Sequence, residues 1–366
     1  MPPIKHIVIG GGGTTGFMSL GALKCLEQAK FWNIEEIVSI YGTSIGSILA
    51  VSLALKYDWP TLTDYYIKRP WNKLYAYERR DLVVNLYNQN GIFNSKIFEE
   101  TLRPLLEGKD LSIGITMLEF FNHTGIDLHF FSLELNNMTK VDISHKTHPS
   151  LRVTEAVYMS AACPILFIPH LVDRFCYVDG GLVCNYAVNE CIEGQGCALD
   201  EVLGMRNMFE HYNDPIDAST SVIDYFMTMY KQLTMYLLNE QAYKDIPNEV
   251  VCVTDNSGTD FMKWIEALRP DNIEALINRG EVYAKLFMKY RGIATINRAG
   301  RGIVKDGHHT TNQRNAINAS NASNANANKN ANTNDGHNTT EDASNTANKP
   351  DAVSGNSDSS NMASDL

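Results

Sequence analysis

"EIVSIYGTSIGSILAVSLALK", residues 36–56, decides how this chain folds. Ile37 to Leu55 carry no charge, and Gly42 and Gly46 stand in G-x-x-x-G spacing, so a membrane-spanning helix is one reading. The β-branched start and the Tyr-Gly-Thr-Ser break favour the other: a buried strand, a sharp turn and a strongly apolar helix. The turn itself, Gly42-Thr43-Ser44-Ile45-Gly46, matches G-x-S-x-G. That pattern is a nucleophile elbow when a strand precedes it and a helix follows, because the tight turn lifts the serine hydroxyl above the sheet. Glycines two residues to either side let neighbouring backbone pass. Ser44 also opens the helix, where partial positive charge favours negative charge developing on oxygen.

Upstream, "HIVIGGGGTTGF" (6–17) is a short strand, four glycines and the start of a helix whose Leu20, Leu23 and Leu26 recur at helical spacing. Gly11, Gly13 and Gly16 satisfy G-x-G-x-x-G, the dinucleotide fingerprint. A nucleotide fold needs an acidic residue at the end of its second strand. Here Glu35 and Glu36 sit at the start of the strand read over "IEEIVSIYG", and its end delivers Ser44. A phosphate-binding P-loop needs Lys after its last glycine, and Gly16 is followed by Phe17. What is left is a loop of backbone amides at a helix N-terminus. Parallel neighbouring strands open on the same sheet edge, so this loop faces Ser44 and is placed to donate to an oxyanion.

A nucleophilic serine needs a base. "YVDGGL" (177–182) puts Asp179 at a strand end, followed by Gly180 and Gly181. Of the later histidines, His211 lies in a loop-like stretch and His308, His309 and His337 in a polar tail, none at a strand end. A Ser44–Asp179 dyad is the simplest arrangement. A carboxylate is a weaker base than imidazole, so such a pair relies on burial and close geometry.

With 366 residues and 44% hydrophobic content, the chain can bury a large core. Its net charge of −11 argues against a nucleic-acid surface. The seven cysteines form no C-x-x-C pair and no zinc spacing, so free or buried thiols are expected and no metal or cofactor. "MPPIKH" is not a signal peptide, and an intracellular, cytoplasmic setting is expected. Beyond residue 305 asparagine mixes with Ala, Ser and Thr, a composition that cannot form a core; 1–300 is read as the catalytic domain and 305–366 as a disordered tail. Further strands are read in "FIPHLVD", "FCYVDGG", "EVLGMRN" (201–207) and "EVVCVTDN" (249–256), a long helix over about 221–241, and a closing helical stretch at about 260–290. Alternating strands and helices predict an α/β fold, three layers around a largely parallel sheet.

Taken together, "GGGTTG" (11–16), "GTSIG" (42–46) and "DGG" (179–181), in that order, resemble the patatin-like phospholipase family. "SAACPILFIPH" (160–170) and Asn185 fit the same pattern, and the resemblance covers about residues 5–190. It implies a patatin-like fold, Ser44 as nucleophile, Asp179 as proton acceptor, and an oxyanion hole from Gly11, Gly12 and Gly13, with Gly16, Gly42, Gly46, Gly180 and Gly181 supporting. No metal is implied. The implied substrates are lipid acyl esters, phospholipid or neutral, with transient contact at a membrane surface. Thr15 stands where the family usually carries a basic residue, and Ala187 where a proline often follows; the first bears on head-group preference. The alternative function is a binding protein that keeps the fold for a lipid or partner without turnover.

Two aromatic stretches bear on substrate access. Val222, Phe226, Met229, Leu233, Tyr236 and Leu237 fall on one face of the 221–241 helix, a stripe expected to be core rather than interfacial. "PWNKLYAYERRDLVVNLY" (70–87) is expected to be a loop and helix cap rather than a lid over lipid head groups.

Overall fold

A computed structural model describes residues 3–75, 79–209, 216–240, 243–254 and 261–292, all within one unit spanning residues 1–307. The asparagine-rich stretch, His211, His308, His309, His337 and Tyr77 lie outside the described residues.

In chain order the first part carries β1 (His6–Ile9), α1 (Gly16–Gln28), β2 (Ser39–Thr43), α2 (Ile45–Ala54), α3 (Trp59–Lys68), α4 (Trp71–Leu74), α5 (Arg79–Gln89), β3 (Gly91–Phe93), α6 (Lys96–Glu107) and α7 (Met117–Thr124). There follow β4 (Asp127–Glu134), β5 (Thr139–Ile143), α8 (Val153–Ala161), β6 (Ile165–Phe167), β7 (His170–Val172), β8 (Phe175–Asp179) and α9 (Val188–Gln195). The last part holds β9 (Val202–Phe209), α10 (Val222–Glu240), β10 (Asn248–Thr254), α11 (Phe261–Glu266) and α12 (Pro270–Tyr290).

The main sheet runs β10-β9-β1-β2-β4-β8-β7, with β5 on the free edge of β4. β10, β9, β1, β2 and β4 are mutually parallel, whereas β5, β8 and β7 pair antiparallel. β3 and β6 form a separate parallel pair. Strand residues alternate between faces. Val8, Tyr41 and Phe131 pack in one core cluster with Val188, Cys191 and Ile192 of α9. Ile7 and Ile9 turn to the opposite face, where Gly46 at the start of α2 lies against Ile9. The result is three layers, α/β/α, around a mostly parallel sheet. α12 crosses α1 at very short range: a methyl on Gly21 would overlap the Ile277 backbone, and one on Gly280 the Met18 backbone.

Two expectations change. The second strand is shorter than "IEEIVSIYG", because Asn33 accepts the Glu35 amide at 3.1 Å and turns Ile34–Glu36 into a 3-10 helix; pairing begins at Ser39. The stripe on α10 is not core. Val222, Phe226, Met229, Leu233, Tyr236 and Leu237 are all exposed, and the helix instead buries Met227, Thr228 and Lys231. The apolar period was real, but the face turned inward is the more polar one because it borders a cavity. Among the described residues no helix is long and apolar enough to cross a membrane.

β4 and β5, unread in the sequence, carry a buried ionic cluster at the sheet edge opposite Ser44. The His129 ring stacks on Tyr41 at 4.3 Å, with Nδ1 2.9 Å from both Asp142 carboxylate oxygens and Nε2 3.3 Å from Asp127. Burial disfavours its charged form, but the two carboxylates outweigh burial and hold its pKa at about 9. Burial likewise opposes the Asp127 carboxylate, yet His129 and Lys146 hold it well below the usual range. A histidine raised in the folded state stabilises fully below its unfolded pKa and loses that contribution as pH rises through the folded value. Stability is therefore expected to fall by up to about 3 kcal/mol between roughly pH 6.5 and pH 9. Urea denaturation of wild type and His129→Gln at both pH values checks it: the variant should lose much less over that interval, and equal losses would remove His129 as the cause.

Candidate active site

One edge of β4 brings the two candidate catalytic residues together. β2 runs alongside its first part, with Thr43 opposite Phe131; β8 takes over on the same edge, with Asp179 opposite Ser132. The ends of β2 and β8 thus meet at adjacent β4 residues, and Ser44 is the next residue after Thr43. Its Oγ donates to Oδ2 of Asp179 at 2.6 Å.

Ser44 has φ 57° and ψ −124°, a left-handed backbone in a non-glycine residue. Such a conformation persists only where the surroundings impose it. Here the Ser44 amide donates to Ser160 Oγ on α8 at 3.1 Å, and its carbonyl accepts from the Ser47 amide (2.9 Å) and hydroxyl (2.6 Å). Thr43 Oγ1 donates to the Cys184 carbonyl at 2.7 Å. Gly42 and Gly46 let the turn close: a methyl on Gly42 would meet the Gly46 carbonyl, and one on Gly46 the Ile9 carbonyl.

Asp179 is buried. Its Oδ1 accepts from the Gly181 amide at 2.7 Å, and Gly180 fits tightly against the Phe131 carbonyl. Burial pushes the carboxyl up to about 6, partly offset by the hydrogen bonds from Ser44 and Gly181. It is an ionised acceptor at neutral pH with unusual affinity for a proton.

The glycine loop follows β1 into a 3-10 turn, Gly13–Thr15, that runs straight into α1. Gly13 has φ +56°, which glycine adopts without a Cβ penalty. Gly16 packs so closely on Ile45 that the starts of α1 and α2, and with them the loop and Ser44, lie side by side. The Gly11 amide is engaged, donating to the Asn185 carbonyl at 3.0 Å. Among the described residues the amides of Gly12 and Gly13 have no such partner. Thr15, in place of a basic residue, donates its hydroxyl to the Gly12 carbonyl at 2.7 Å and braces the loop.

Two cavities meet at Ser44, both bordered by Gly13, Thr14, Ala161, Phe167 and Trp264. One is apolar and aromatic, walled by Phe17, Tyr66, Trp71, Tyr75 and Phe98. Trp71 and Tyr75 of the 70–87 stretch are thus cavity wall rather than an ordinary cap. The second cavity holds Asp179, Asn185, Tyr230 and Lys231.

Some of these residues escaped sequence reasoning. Asn207 Nδ2 donates to the Gly10 carbonyl at 3.2 Å while its Oδ1 accepts from Ser19 at 3.2 Å, which pegs the loop to β9. A signal existed, since a polar residue ending the strand "EVLGMRN" must surface at the active edge of a parallel sheet. Ser160 stood within a quoted motif without a role. Tyr230 and Lys231 gave no signal, because only the path of α10 places them.

The sequence profile of the patatin-like phospholipase family matches residues 7–192. A probable lipid hydrolase of Invertebrate iridescent virus 6 is 27% identical over 222 residues, which cover 58% of this chain and 73% of that protein. An uncharacterized protein of Acanthamoeba polyphaga mimivirus is 26% identical over 224 residues, 59% of this chain and 69% of its own length. Among solved structures, VipD from Legionella pneumophila aligns over 77% of this chain and 67% of its own, with a TM-score of 0.43 and 15% identity.

Proposed function

Since this chain belongs to the patatin-like phospholipase family, we propose that it is a lipid acyl hydrolase that works through Ser44 and Asp179. The observation that carries the reading is the 2.6 Å hydrogen bond from Ser44 Oγ to a buried carboxylate, at a strained strand–helix turn beside two amides with no partner among the described residues. Ser44 Oγ attacks the ester carbonyl carbon and its proton passes to Asp179 Oδ2. Negative charge develops on the carbonyl oxygen, where the Gly12 and Gly13 amides donate to it. The tetrahedral intermediate collapses to an acyl-serine, and the departing alkoxide takes the proton from Asp179. Water then gives a proton to Asp179 and attacks the acyl-serine; the second tetrahedral intermediate collapses, Ser44 Oγ takes that proton back from Asp179, and the fatty acid leaves. The aromatic cavity suits the acyl chain and the cavity with Lys231 suits the head group.

Labelling with a fluorophosphonate, followed by intact mass and peptide mapping, tests this directly. Expected is one adduct on Ser44, absent in Ser44→Ala and formed at least about 100-fold more slowly in Asp179→Asn. Folded wild-type protein that takes no label would instead favour a binding protein without turnover.

A further inference from the structure

We infer that the outer face of α10 is the surface by which this protein sits on a lipid layer. The inference rests on the lipid-hydrolase reading above and adds to it where the lipid is met. Val222, Phe226, Met229, Leu233, Tyr236 and Leu237, spaced along one face of the helix, are 36–64% exposed. They span about 22 Å at 1.5 Å per residue. A continuous apolar stripe of this length marks a contact surface, unlike scattered exposed side chains.

The reverse side of the same helix is the wall of the catalytic cavity. Tyr230, Lys231 and Thr234 face the space shared with Ser44 and Asp179. One helix therefore separates the cavity that holds the reacting groups from the outside, and a layer against its outer face would lie one helix diameter, roughly 10 Å, from the cavity wall. A bilayer fits that stripe better than a protein partner does. The exposed side chains are apolar or aromatic, with tyrosines suited to a boundary between water and hydrocarbon, and they offer no charged group for directional pairing. Asp224, near the start of the helix, is held by Ser221 Oγ at 2.6 Å and the Phe261 amide at 3.0 Å. With a chain charge of −11, attraction to anionic lipid is not the driving force. Zwitterionic surfaces are the preferred occupant.

The test uses the full chain. Ser44→Ala protein, which leaves vesicles intact, is expected to co-sediment with phosphatidylcholine vesicles, and less with vesicles containing phosphatidylserine. Adding Phe226→Asp and Leu233→Asp should weaken binding by at least about tenfold with the thermal transition retained. Leu233→Asp alone, a milder change on the same face, should give an intermediate loss. With Ser44 present, the same variants should keep hydrolysis of a soluble short-chain ester within about twofold and lose at least about tenfold on vesicles. Unchanged vesicle binding in the double variant would overturn the inference. So would a wild-type dimer that the variants dissociate without loss of vesicle binding. A chain that binds vesicles through this face but hydrolyses neither ester would leave the docking surface standing and remove the proposed catalysis.

Discussion

Asp179→Asn is expected to lower kcat/KM for a soluble ester by at least about 10³-fold and, at the same time, to make the protein more stable. Both effects come from the same burial. The Asp179 carboxyl is pushed up to about 6 in the folded chain, so folding favours its neutral form. An acid raised in this way loses stability as pH climbs from its unfolded value, near 4, through its folded value. At pH 7 the ionised carboxylate then costs roughly 3 kcal/mol, a penalty that the neutral amide avoids. Asparagine keeps an oxygen for the Gly181 amide but cannot take the Ser44 proton. Thermal unfolding at pH 7 should show a higher midpoint for the variant, and the difference should vanish near pH 4. In wild type, kcat/KM should fall tenfold per pH unit below about pH 6, as the base is protonated. A variant less stable than wild type at pH 7, or activity flat to pH 5, would contradict the assignment.

Gly46→Ala is expected to disrupt the fold itself, by more than about 3 kcal/mol. The added methyl would overlap the Ile9 carbonyl, part of the β1 backbone in the middle of the sheet. A flexible side chain could swing aside; a strand with neighbours on both edges cannot. The displacement would also carry the start of α2 away from the glycine loop that begins just after Ile9. Near-UV circular dichroism and urea denaturation would register the loss, and a variant with the wild-type midpoint would show that α2 can shift without harm.

Much of the pairing of Ser44 with Asp179 was legible in the sequence because elbow and strand-end geometry depend on local residue types. Gly42, Ser44 and Gly46 specify a turn wherever they fall between a strand and a helix, and Asp179 followed by Gly180 and Gly181 has its own local signature. β4 was invisible for a physical reason. "DLHFFSLE" is buried along its whole length, so it lacks the alternation that marks a strand with one wet face, and Ser132 and His129 find partners at Val178 and Asp142 that only the folded sheet brings to them. The stripe on α10 was read correctly as periodic and wrongly as core. Periodicity says that a helix has an apolar face; it does not say whether protein or something else covers that face. The division of work within the glycine loop was equally out of reach, since the bond from the Gly11 amide to Asn185 joins parts of the chain that only the fold brings together.

The crossing of α1 with α12 has a consequence for synthesis. The glycine loop hangs between β1, whose outer neighbour is β9, and α1, which Gly21 and Gly280 lock against α12. A nascent chain that has reached residue 192, where the family match ends, still has β1 as an open edge and α1 without its partner. Contacts of such long sequence separation form late. The glycine loop and Ser44 are therefore expected to settle into their final packing only once α12, which ends at Tyr290, has docked on α1.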